Sequence, residues 1–125
     1  MKLATITNPK FMTTLQLIMD QKVDLFTAFQ LKKIVNAVDN ELMLYETTRQ
    51  TMLMKFCELN DNGELDADEQ GMVRFKSEDD KAQFQQELHD LRHKDIDIGA
   101  VSIQKLKNIE LSTNDLYVLS DLITE

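Results

Sequence analysis

The chain is poor in the residues that punctuate and staple a fold. Its 125 residues include one cysteine, one proline, three glycines and no tryptophan. A single cysteine cannot close an internal disulfide, which excludes a disulfide scaffold and fits a reducing compartment. So little glycine and proline excludes a turn-rich sandwich and a collagen-like repeat. No apolar run approaches the roughly 18 residues of a membrane span. The opening Met1–Thr7 segment lacks a signal peptide's apolar run of about 7–15 residues and small-residue cleavage site. An intracellular setting, or a particle assembled inside a cell, is therefore expected. Basic residues are also scarce: 14 Lys+Arg face 22 Asp+Glu, a formal charge of −8. That balance argues against direct nucleic-acid binding and against a membrane-surface role, because phosphates and anionic lipids attract the opposite sign. GxGxxG, P-loop, GxSxG and CxxC motifs are all missing.

What is present is helical periodicity over one domain's worth of chain. The alternation of Leu3, Ala4, Thr5, Ile6 and Thr7 predicts a short strand. Asn8-Pro9 then predicts a helix start, with Asn8 capping a helix to about Asp20. From Leu25 to about Glu58 there is neither glycine nor proline. Leu31, Val35, Val38, Leu42, Tyr45, Arg49, Met52, Phe56 and Leu59 follow each other at alternating spacings of 4 and 3. Such a heptad seam belongs to a helix packed on a helix. Leu25, Phe26, Phe29, Ile34, Met43, Leu44, Leu53 and Met54 widen the stripe. A helix of this length spans roughly 50 Å, so it is expected to project as one arm of a hairpin or into a partner. Arg49 interrupts the seam and is expected to snorkel to solvent.

The polar stretch Asn60–Gly71 carries two turn signals, Asn62-Gly63 and Gly71. It predicts a small β-hairpin pairing Glu64–Asp66 with Met72–Phe75. Ser77-Glu78-Asp79-Asp80 is a capping sequence for a second helix to about His93, with Phe84, Leu88 and Leu91 on its apolar side. Antiparallel packing on the long helix is the simplest arrangement. Asp95–Ile103 reads as extended and is the expected partner of the N-terminal strand. Ser112–Asp115 opens a final helix with Leu116, Leu119, Leu122 and Ile123 on one face. The expected fold is thus mainly α with minor β, in a single domain of 1–125. Its parts are an N-terminal strand and short helix (1–23), a helical hairpin with a β-hairpin tip (24–93), and a strand and C-terminal helix (94–125). A two-stranded sheet is expected at the base.

Two stretches imitate metal sites. Counting from Glu58, oxygen-bearing side chains and a glycine fall at the offsets of a calcium loop: Asn60, Asn62, Gly63, Glu64, Asp66 and Glu69. The first position holds Glu58 where a shorter Asp is needed, and Gly71 interrupts the helix that should follow. The segment reads as an acidic tip. His89 and His93 share a helical face at the spacing of a zinc helix, but Asp90 stands where a longer glutamate would act as base, and no third ligand is evident. These histidines read as part of a solvated face. Cys57 beside Phe56 reads as core, since a reactive thiol needs an electropositive setting. No cofactor, metal or catalytic constellation is expected.

The stretches "MKFCELNDNGEL", "VRFKSEDDKAQFQQEL" and "DIDIGAVSIQKLKNIELSTNDLYVLSDLI" carry a resemblance. In Asp61-Asn62-Gly63, Phe75 and Ile109-Glu110-Leu111-Ser112, the chain resembles a family of small tailed-bacteriophage proteins of unknown function. The resemblance spans roughly residues 25–125 and implies a viral origin without naming an activity. The expected role is a non-enzymatic virion or assembly component, located in the virion or the host cytoplasm and touching other phage proteins, with oligomerisation possible. The expected contact residues are Tyr45, Arg49, Met52 and Phe56 on the long helix, with Leu116, Leu119, Leu122 and Ile123 near the C-terminus. The alternative is an early phage protein that inhibits a host protein through an acidic surface. Nine of the 22 carboxylates lie between Glu58 and Asp80, against only Arg74 and Lys76.

Overall fold

A computed structural model describes residues 1–125. The fold is mainly helical, with five α-helices and a two-stranded sheet. In chain order these are α1 (Leu3–Thr7), α2 (Pro9–Met19), α3 (Leu25–Phe56), α4 (Glu78–Arg92), β1 (Val101–Ser102), α5 (Thr113–Val118) and β2 (Ile123–Thr124). A 3-10 turn, Ile103–Leu106, follows β1. The chain divides into two compact units: Met1–Leu42 with Lys94–Glu125, and Met43–His93. The helix α3 contributes its first part to one and its last part to the other.

The first unit joins both ends of the chain. Leu3–Thr7 forms a helix and not the expected strand. Five residues are too few to separate periods of 2 and 3.6, and Leu3 and Ile6 sit one helical turn apart, both buried. Thr7 Oγ1 donates to the Ala4 carbonyl at 2.9 Å. Asn8 then leaves the helical region (φ −71°, ψ 122°), as a residue before proline must. Its side chain accepts from Lys10 N at 3.1 Å and starts α2. The face of α2 carrying Phe11, Leu15 and Ile18 is buried, as are Leu31, Ile34 and Val38 of α3. Full burial of side chains this size stabilises by about 1.5–3 kcal/mol each. Asp24 fixes the entry to α3: its carboxylate accepts from Thr27 N at 2.9 Å and Thr27 Oγ1 at 2.8 Å. Those bonds hold its pKa below the ordinary 3.8.

The sheet differs from the expected one. Residues 94–96 meet the N-terminus only through a single antiparallel bridge, Lys2 with Asp95, reinforced by a 2.8 Å ion pair. That contact lowers the Asp95 pKa, first through the hydrogen bond from Lys2 and then through its charge. The real strand partners are Val101 with Ile123 and Ser102 with Thr124, running parallel. The final helix is correspondingly shorter than expected. Ser112 and Asp115 form a reciprocal capping box, and the helix ends at Leu119, freeing Ile123 and Thr124 to pair. Leu119 and Leu122 are both fully buried, so the chain reverses around them instead of continuing one amphipathic helix. Gly99 (φ 90°) provides the left-handed turn ahead of β1.

The second unit has a small core of its own. Leu53, Phe56 and Cys57 pack with Phe84 of α4, and Met52, Leu65, Val73, Phe75 and Leu88 close around them. Phe84 lies 5.3 Å from Phe75 between ring centroids. Ser77 caps α4 by accepting from Asp80 N at 3.1 Å, and three carboxylates occupy the first turn. The chain from Cys57 to Phe75 turns twice by one device. Asn60 Oδ1 accepts from the amides of Asn62 and Glu64, and Asp68 Oδ1 accepts from those of Gln70 and Met72. Gly63 (φ 76°) and Gly71 (φ 79°) each sit three residues beyond the capping side chain. Asn60 N donates to the Glu64 carbonyl and Asp68 N to that of Met72, so two equivalent turns stand eight residues apart. Single antiparallel bridges join Leu59 with Leu65, Ala67 with Val73 and Cys57 with Phe75. Glu64–Asp66 therefore pairs back toward α3, and not with Met72–Phe75.

Candidate functional site

The residues that the sequence marks for contact fall into two groups. Phe56, Leu119 and Leu122 are buried in the chain's own cores. They hold the fold and present nothing to a partner, which corrects that expectation. The apolar periodicity that singled them out is the same for a core face and a contact face. Tyr45, Arg49 and Met52 on α3 are half-buried, as is Ile123, and Leu116 is exposed. The guanidinium of Arg49 reaches Glu46, one turn back on α3, at 3.1 Å, both groups lying at the solvent boundary. Leu116 and Ile123 line a cleft of about 220 Å³ with Ile103, Leu106, Ile109 and Leu111.

The surface that sequence reasoning missed lies on α3. Leu25 is 80% exposed, Phe26 82% and Phe29 62%. In the second unit Met43 is 69% and Leu44 56% exposed. Leu25, Phe26 and Phe29 stand on the side of α3 opposite the buried Leu31, Ile34 and Val38. Lys33 Nζ lies over the Phe29 ring, 5.5 Å from its centroid. A larger cleft of about 530 Å³ runs between α2 and α5, lined by Asn8, Lys10, Thr13, Asp115 and Tyr117 among others. Two of its polar side chains are engaged in capping: Asn8 with Lys10 N, and Asp115 with Ser112 N.

The two metal-like stretches hold no ligand set. No group of three or more His, Cys, Asp or Glu side chains is arranged around a common point. In the acidic loop, Asn60 Oδ1 is committed to two backbone amides, as is Asp68 Oδ1. His89 and His93 stack with centroids 4.1 Å apart, and His93 Nδ1 faces the His89 carbonyl at 2.8 Å. Cys57 is enclosed, and burial pushes its thiol pKa above 9.0 despite the nearby Lys76 charge. A thiol in that setting is a packing group. No helix is long and apolar enough to cross a membrane. No family model, curated protein or solved structure matches the chain.

Proposed function

We propose that this chain works by surface contact and not by catalysis, as a minor virion or assembly component of a tailed bacteriophage. One observation carries the contact reading: Leu25, Phe26 and Phe29 in one unit, and Met43 and Leu44 in the other, remain exposed. Grouped exposed apolar side chains mark interaction sites. The viral origin rests on the resemblance over residues 25–125. Tyr45, Arg49, Met52, Leu116 and Ile123 remain at or near the surface and belong to the proposed contacts. We read the last part of α3 and α4 as the arms of a helical hairpin, with the doubly turned 57–75 segment as its tip. Mass spectrometry of purified particles of the encoding virus tests the role. The chain should be present at a fixed copy number, and its absence overturns the virion reading.

The net −7 of residues 58–80 favours a second reading, an early protein that inhibits a host factor. Affinity capture from host lysate should then return one dominant host protein, lost when Asp61, Glu64 and Glu69 are changed to lysine.

A further inference from the structure

Between Leu25 and Val38 the chain has two lysines, Lys32 and Lys33, and no carboxylate. It is the start of a helix whose buried side is already used by Leu31, Ile34 and Val38. The other side shows Leu25, Phe26 and Phe29 to solvent, with the Lys33 ammonium beside the Phe29 ring. Asp24 and Asp39 flank the stretch, and Asp24 turns both carboxylate oxygens onto Thr27. The face is therefore aromatic and cationic within a chain of charge −8. An occupant must cover two phenyl rings and bring negative charge to the lysines.

One segment of this same chain has that chemistry. Residues 58–80 carry nine carboxylates against two cations and expose Met72 and Leu59. A methionine sulfur packs favourably against an aromatic ring, and carboxylates at the rim complement ammonium groups. We propose that the Phe26/Phe29 face of α3 docks the acidic 58–80 segment of a second copy of this chain. The proposal rests on the contact reading above and names the partner of one of its faces. A polyanion such as nucleic acid or an anionic membrane would extend its charge well beyond a patch of two lysines. The acidic segment of a second copy is compact, and screening limits repulsion between the remaining charges beyond about 8 Å at physiological salt. Two different surfaces meet in this contact, so it either closes reciprocally into a two-fold dimer or runs head-to-tail into rings or chains.

The test uses the full chain and two variants altered only at exposed positions. The face variant is Phe26→Ser with Phe29→Ser; the segment variant is Asp61→Lys, Glu64→Lys and Glu69→Lys. Circular dichroism confirms that both fold. Sedimentation velocity should show the wild type gaining mass with concentration, and losing roughly tenfold in association when salt rises from about 0.05 to 0.5 M. Each variant alone should be monomeric. Mixed, they should form a 1:1 pair and nothing larger, because one keeps the segment and the other keeps the face. A monomeric wild type, association unchanged in either variant, or no pairing on mixing overturns the proposal. Binding to anionic vesicles or to an oligonucleotide through Phe26 and Phe29, without self-association, also overturns it. If the wild type is monomeric but the face variant is lost from particles, self-docking fails and the contact reading stands. If self-association holds but particles lack the chain, the virion role fails and the docking stands.

Discussion

Phe56 and Phe84 meet edge to face, with ring centroids 6.5 Å apart and planes at 70°. This pair joins the end of α3 to α4 in a core built from few large side chains. Phe84→Ala should therefore cost about 3–5 kcal/mol, the usual toll of truncating a buried phenylalanine. Urea unfolding gives the total. Hydrogen exchange should place the loss at Leu53, Phe56 and Cys57, with amides around Leu15 and Val101 unchanged. Equal loss of protection in both regions would mean that the two units unfold as one.

Cys57 provides a second probe of the same core. Its thiol is enclosed, and desolvation raises its pKa above the ordinary 9.0. A raised pKa means that the folded state favours the neutral thiol. The stabilising contribution is full below the unfolded pKa and disappears as pH rises through the folded one. Labelling by a thiol reagent at neutral pH should be roughly 100-fold or more slower than in the unfolded chain, since it waits for local opening. Phe84→Ala should accelerate it. Fast labelling of the native wild type would contradict the enclosure.

Asp24 and Asp95 each add to the acid limb of stability. Both have pKa values lowered below 3.8, Asp24 by hydrogen bonds from Thr27 and Asp95 by its bond to Lys2. A depressed folded pKa gives a contribution that is present above the unfolded value and is lost as pH falls through the folded one. The thermal midpoint should fall as pH drops below about 4. Asp24→Asn should flatten that dependence, and a curve parallel to wild type would refute the assignment.

The capping box offers a smaller, sharper effect. Ser112 Oγ accepts from Asp115 N at 3.0 Å, and Asp115 Oδ2 accepts from Ser112 N at 3.1 Å. Ser112→Ala should cost about 1 kcal/mol. Exchange of the Asp115 amide should rise with it. The cost is more than local, because α5 delivers Leu119 and Leu122 to the core.

Gly63 sits at φ 76° with nothing near its missing side chain. Gly63→Ala should therefore show the backbone penalty alone, about 1–2 kcal/mol. Gly71→Ala should cost the same, because the turn at Asp68 repeats the one at Asn60. Unequal losses in denaturant titrations would show that the two turns are not equivalent.

The sequence made the long elements legible and the short ones not. Without glycine or proline, and with apolar spacings of 4 and 3, α3 was clear, as were α2 and α4 from Asn8-Pro9 and Ser77. Leu3–Thr7 misled because five alternating residues also place Leu3 and Ile6 one turn apart. Ile123 reads as part of a helix face because pairing with Val101, 22 residues earlier, leaves no local trace. The contact residues divided for a related reason. Periodicity finds an apolar face but not what covers it, so Phe56, Leu119 and Leu122 went inside while Phe26 and Phe29 stayed out.

The division of the chain also orders its assembly in time. Met43–His93 is continuous, and its core spans only Met52 to Leu88. The other unit needs residues from both ends, including Val101 against Ile123 and Leu3 against Lys94. Its loop closures wait until residues 94–123 have left the ribosome, while the inner unit needs only nearby contacts. During synthesis, Leu3, Phe11, Leu15 and Leu31 therefore wait without their full complement of neighbours. That interval leaves apolar side chains exposed that the folded unit encloses.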